Sequence, residues 1–204
     1  MVVLNDQDRT RIRDAIATAE AKTAGEIFVV VARASDEYHL VALLWATLAA
    51  LFVPLPLVSL TLVPALQIYL AQLAVFVVLS VLLSLPPLHM AVVPLRLKRA
   101  RAHARAVEQF LAHGLHTTEA RTGVLIFVSL AEHYAEIIAD SGIAAKVEQR
   151  VWDEAMAKLI EETRSGRLAE GLMHAIARTS AVLATHFPPR PRDVNEIPND
   201  LILL

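Results

Sequence analysis

Three side chains in the second half of the sequence, Glu132, His133 and Asp140, have the chemistry to share a metal ion. Two carboxylates and an imidazole suit a hard or borderline divalent cation such as calcium or magnesium. A cluster of that kind is one of the two routes to phosphate-ester hydrolysis, the other being a nucleophile held in a phosphate cradle. Glu26 would join the three if the strands leading to them are parallel neighbours. The residue types favour a plainer reading: a solvated hairpin at Ala131-Glu132-His133 and a turn at Asp140-Ser141-Gly142. No catalytic residue and no cofactor-binding residue is assigned. The chain contains no G-x-x-x-x-G-K-[ST] loop, and its lack of Cys removes thiolate nucleophiles, Cys-ligated zinc and iron–sulfur clusters. His113-Gly114-Leu115-His116 straddles a helix stop and has no fixed ligand geometry, and His103 and His174 sit in helices where most histidines do no chemistry. Trp152 reads as a core or interfacial anchor.

The elements that must position these residues follow from periodicity. Residues 5–23 read as a helix with Asn5 as N-cap and Ile12, Ile16 and Ala19 on one face. Glu26-Ile27-Phe28-Val29-Val30-Val31-Ala32 is a run suited to a buried strand, one that needs neighbours on both sides. Residues 96–113 read as an amphipathic helix stopped at Gly114. Gly123–Leu130 is a second buried strand, and Tyr134–Ala139 a third, joined to it by the short hairpin. Helices over 145–162 and 168–186 follow, and Pro188-Pro189-Arg190-Pro191 leads into a C-terminal tail, 188–204.

Between the two polar pieces lies a block of another kind. From Tyr38 to Leu95 there is no Asp, Glu, Lys or Arg, although the whole chain of 204 residues carries 19 basic and 21 acidic ones. A single helix of that length would far exceed a hydrocarbon core of about 30 Å, so two spans are expected, near 40–60 and 66–85. Pro54 and Pro56 fit either a kinked first helix or the connecting turn. The expected domains are therefore 1–37 with 96–187 as one split α/β domain, and 38–95 as a transmembrane helical hairpin. Neither polar piece is long enough to make a core alone. Arg96, Lys98, Arg99, Arg101 and Arg105 follow the second span, whereas the hairpin loop has no Lys or Arg. Basic flanks stay on the cytoplasmic side, so both termini are expected there, as in a bacterial inner membrane, and no signal peptide is read. The partners expected are the lipid bilayer and another membrane protein. A net charge of −2 invites no nucleic acid.

The stretch Arg121-Thr122-Gly123-Val124-Leu125-Ile126-Phe127-Val128-Ser129-Leu130, followed by a hairpin and Asp140-Ser141-Gly142-Ile143, resembles the TPM domain family, also called DUF477 or thylakoid acid phosphatase-like. Thr23-Ala24-Gly25-Glu26-Ile27-Phe28-Val29-Val30 is similar to the family's opening strand, and Gly166–Leu172 to the start of its last helix. The resemblance implies a layered α/β/α sandwich, here interrupted by the hairpin. It also implies membrane association and, for some plant relatives, acid phosphatase activity, divalent metal binding and a role in photosystem assembly or repair. Two departures stand out: the anchor is internal rather than terminal, and the family's acidic D-D-R hairpin reads Ala131-Glu132-His133. The function expected is that of a membrane-anchored, non-enzymatic binding or assembly/repair accessory of a membrane complex. The alternative is a divalent-metal-dependent phosphatase using Glu132, His133 and Asp140.

Overall fold

The computed structural model describes residues 4–189, 196–198 and 200–204. In chain order the elements are α1 (Asp6–Glu20), β1 (Glu26–Ala32), α2 (His39–Phe52), α3 (Pro54–Leu60), α4 (Ala65–Leu83), α5 (Pro86–Ala91), α6 (Leu95–Ala112), β2 (Gly123–Ser129), β3 (Tyr134–Ala139), α7 (Ser141–Ala144), α8 (Gln149–Arg164), α9 (Leu168–His186) and β4 (Leu201–Leu203). The chain divides into two compact units, Met1–Ser35 with Arg99–Leu204, and Asp36–Lys98.

The first unit is an α/β domain built on a four-stranded sheet of order β3-β2-β1-β4. β1 pairs in parallel with both β2 and β4, and β3 closes the other edge antiparallel to β2. Every residue of β1 and β2 is buried, as apolar strands covered on both faces must be. Alternate residues face opposite ways. Ile27, Val29 and Val31, with Val124, Ile126 and Val128, pack under α1, α8 and α9 through Ile12, Ile16, Trp152, Leu159, Leu172 and Ile176. Phe28, Val30, Leu125 and Phe127 pack on the other side against Ala106 and Phe110 of α6, Leu115 and Ile197. Three layers result, helices–sheet–helix.

Local sequence accounts for the ends of the elements. Asn5 caps α1 reciprocally: its side chain accepts from the Asp8 amide at 2.7 Å, and the Asp8 carboxylate accepts from the Asn5 amide at 3.4 Å. Gly114, at φ 68°, ends α6. Two differences from the sequence reading concern the second half. The helix expected over 145–162 is preceded by the separate short α7, which Asp140 caps, and begins only at Gln149. The end of the expected tail is β4, the neighbour that β1 required on its open side. Three residues are too few to show a period, so only the pairing reveals it. Residues 190–195 and 199 of that tail lie outside the described residues.

The second unit is a helical hairpin. α2 and α3 form one apolar run of 22 residues, His39–Leu60, and α4 another of 19, Ala65–Leu83. By length and composition both are sufficient to cross a membrane. Pro54 and Pro56 belong to the first run, at the start of α3, and the turn falls at 61–64. Ala42, Ala46 and Ala50 are the buried residues of α2, one per turn, where their small side chains let α4 approach. α4 has no buried residue, and Leu66, Leu70, Leu73, Val77 and Val81 are exposed.

Candidate functional site

In open α/β sheets ligands bind beyond the carboxyl ends of the parallel strands. At that edge β1 runs out into Ser35 and β2 into the hairpin, and three polar side chains meet. The Ser35 amide donates to Glu132 Oε1 at 3.0 Å, and the Ser129 hydroxyl donates to Glu132 Oε2. The Ser35 hydroxyl in turn donates to Ser129 Oγ at 2.8 Å. Glu132 and Ser129 are buried, and Ser35 is half-buried. Both oxygens of the carboxylate are therefore engaged by the chain itself, and the network ties the exit of β1 to the tip of the β2–β3 hairpin. His133, at φ 49°, forms the turn: its amide donates to the Leu130 carbonyl and its residue is exposed.

A second polar group lies on the α6 face of the edge strand. Glu136 stands opposite Phe127, and its carboxylate accepts from the Tyr134 hydroxyl at 2.9 Å. His103 of α6 places Nδ1 3.0 Å from both Glu136 oxygens. A carboxylate that orients an imidazole in this way fixes its tautomer and leaves Nε2 for a proton or a ligand. Burial, and after it the Glu136 carboxylate, pushes the Tyr134 hydroxyl well above its ordinary value, so it stays a donor. The sequence reading passed over Ser35, Ser129, Tyr134 and Glu136. The signal was the period-2 spacing of Tyr134 and Glu136, which puts both on one face.

Asp140 is elsewhere. It follows β3 and lies at the opposite, amino edge of the sheet, its amide donating to the Gly123 carbonyl at 2.9 Å. β3 has six residues, so about 20 Å of strand separates it from the hairpin that holds Glu132 and His133. Its Oδ1 accepts from the Ser141 amide at 2.6 Å, capping α7, and its Oδ2 lies 3.9 Å from Arg121 Nη1. A Cβ on Gly142 would come within 2.6 Å of the Arg121 carbonyl oxygen, so this turn closes only over glycine. The expected trio is thus not brought together, because an antiparallel strand carries the chain from one edge of the sheet to the other. β1 and β2 are parallel neighbours, as the role foreseen for Glu26 required, yet this places Glu26 beside Gly123 at the Asp140 edge and away from Glu132. Glu26 Oε1 accepts from the Glu196 amide at 3.2 Å. Among the described residues no group of three or more His, Asp or Glu side chains converges in a way that could hold a metal ion. His113 lies with its ring 4.5 Å from that of Phe28, and Trp152 is a core residue.

Residues 87–182 match the family model of the TPM domain. The chain carries a TPM domain. The matched segment takes in α6, the β2–β3 hairpin, α7, α8 and most of α9, and so both polar edges of the sheet except the residues contributed by β1. A similar solved structure is the NMR structure of the BA42 protein from the psychrophilic bacterium Bizionia argentinensis, with a TM-score of 0.62 at 20% identity over 98% of this chain and 95% of that one. At that identity the likeness concerns the fold. No curated protein matches the chain in sequence. Within the TPM domain, Gly123 and Gly142 are close-packed against backbone, which explains two of the glycines on which the resemblance rested.

Proposed function

We propose that this chain is a membrane-anchored TPM-domain protein that acts as a non-enzymatic binding or assembly accessory of a membrane complex. The observation that carries the proposal is the exterior of the helical hairpin. The first run buries the small side chains of Ala42, Ala46 and Ala50 where α4 approaches, and both runs otherwise turn leucine and valine outward, with Phe52. Exposed apolar surface on that scale is costly in water and is satisfied by hydrocarbon. Arg96, Lys98, Arg99, Arg101 and Arg105 after the hairpin, with no Lys or Arg in its turn, support a cytoplasmic position for the domain and for both termini.

The carboxyl edge is the surface we assign to binding. There Glu132 is held by Ser35 and Ser129, while His103 is exposed and leans on the largely covered carboxylate of Glu136. Fractionation of expressing cells should leave the full chain in the membrane after an alkaline wash. A reporter fused after Leu204 should be active only on the cytoplasmic side. Recovery of the chain in the soluble fraction, or a reporter active only on the far side, would sink the corresponding part of the proposal. The phosphatase alternative predicts metal-dependent hydrolysis of a phosphate ester that is lost in both Glu132→Gln and Asp140→Asn. Under the present proposal the purified full chain shows none.

A further inference from the structure

Among the described residues α6 is the single long helix on its side of the sheet, and it has two apolar faces. Ala102, Ala106 and Phe110 are buried toward the strands. On the opposite side Ala100, Ala104, Val107 and Leu111 repeat at steps of four, three and four, the spacing of a coiled-coil seam. Ala100, Ala104 and Leu111 are exposed and Val107 is half-buried. In heptad terms Ala104 and Leu111 take the a positions and Ala100 and Val107 the d positions. Arg101 and Glu108 then fall on the same flank, both at e, one heptad apart.

We propose that this face pairs with the same face of a second copy of the chain, the two α6 helices running antiparallel. The charges select both the partner and the direction. In an antiparallel pair the e flank of one helix meets the e flank of the other. Setting Ala104 against Val107 of the second copy, and Ala100 against its Leu111, brings Arg101 beside the second copy's Glu108, and the two-fold axis repeats the contact. Glu108 is the one acid in a helix that also holds Arg96, Lys98, Arg99, Arg101 and Arg105. A parallel pair would set Arg96 beside the second copy's Arg101, so like charges would oppose it. Glu108 already accepts from Arg105 Nη1 at 2.8 Å in its own helix, which holds its carboxylate at the seam's edge.

The absence of native Cys makes the test direct. In the full chain in detergent or vesicles, Ala104→Cys lies next to the two-fold axis and should cross-link to itself on oxidation. Ala100→Cys should not, because the two copies of that position are about 16 Å apart along the helices. A mixture of Ala100→Cys and Leu111→Cys chains should join as heterodimers. Arg101→Glu should abolish the cross-link of Ala104→Cys, and Arg101→Glu with Glu108→Arg should restore it. Restoration by the double variant separates lost pairing from misfolding. Equal self-cross-linking at 100 and 104, cross-linking that ignores the charge changes, or a monomer in light scattering of the unmodified chain would each overturn the proposal.

Discussion

Gly123 begins β2 where the chain passes under the single turn of helix at 115–117. A Cβ built there would stand 2.2 Å from the Leu115 carbonyl oxygen, and backbone cannot step aside as a flexible side chain can. Gly123→Ala is expected to destabilise the domain by about 3 kcal/mol, toward the top of the range for overpacking, read as a lower denaturant midpoint. Tyr134 gives a pH dependence with a definite sign. Burial first, and Glu136 second, raise its hydroxyl above the ordinary value near 10, so the unfolded chain loses that proton before the folded one does. The stability it contributes is whole below about pH 10 and is lost as the pH climbs beyond that. Unfolding midpoints measured between neutral pH and pH 11 should fall more steeply in the unsubstituted chain than in Tyr134→Phe. At this scale the sequence was informative about chemistry and poor about location. Glu132 and Asp140 are eight positions apart in the chain, and an intervening strand makes that a distance from edge to edge.

The elements were more legible than the residues. β1 and β2 could be read because unbroken β-branched runs have few other uses, and α1 and α9 because their apolar positions keep helical spacing beside clear caps and breakers. What could not be read were features set by tertiary contact. α7 is a single turn defined by the Asp140 cap, and β4 is a three-residue strand that exists because β1 offers it an open edge. Prolines mark a break without saying which kind: Pro54 and Pro56 lie in helix while the turn falls after them. Leu201 is the buried residue of β4, packed with the α1 side of the core. Leu201→Ala is expected to cost about 2–3 kcal/mol and to raise hydrogen exchange at Val29 and Val31 of β1, measurable by mass spectrometry. An unchanged exchange rate there would mean that β4 contributes little to the sheet.

The whole molecule joins two units with opposite surface chemistry. The α/β domain hides its apolar residues beneath helices on both faces of a sheet, and the hairpin displays them. Composition alone could place this boundary, because charge is excluded from one block and distributed normally through the rest. The same charge pattern says nothing of α6 as a pairing surface, which emerges only once the inward face of that helix is known.

The position of β1 in the sheet has a consequence for how the protein is made. Its neighbours, β2 and β4, are supplied from beyond the whole hairpin and from the last residues of the sequence. β1 therefore leaves the ribosome well before either partner exists, a strand apolar from Ile27 onward with nothing to pair with. Strand pairing across such separations is slow, since long loops must close before any contact is rewarded. The intervening segment is itself a local helical hairpin, α2 packed on α4, which leaves a shorter effective loop for β1 and β2 to close. The sheet can therefore close only after Leu201–Leu203 have been made, and the stretch that waits longest for its partners is Ile27–Val31.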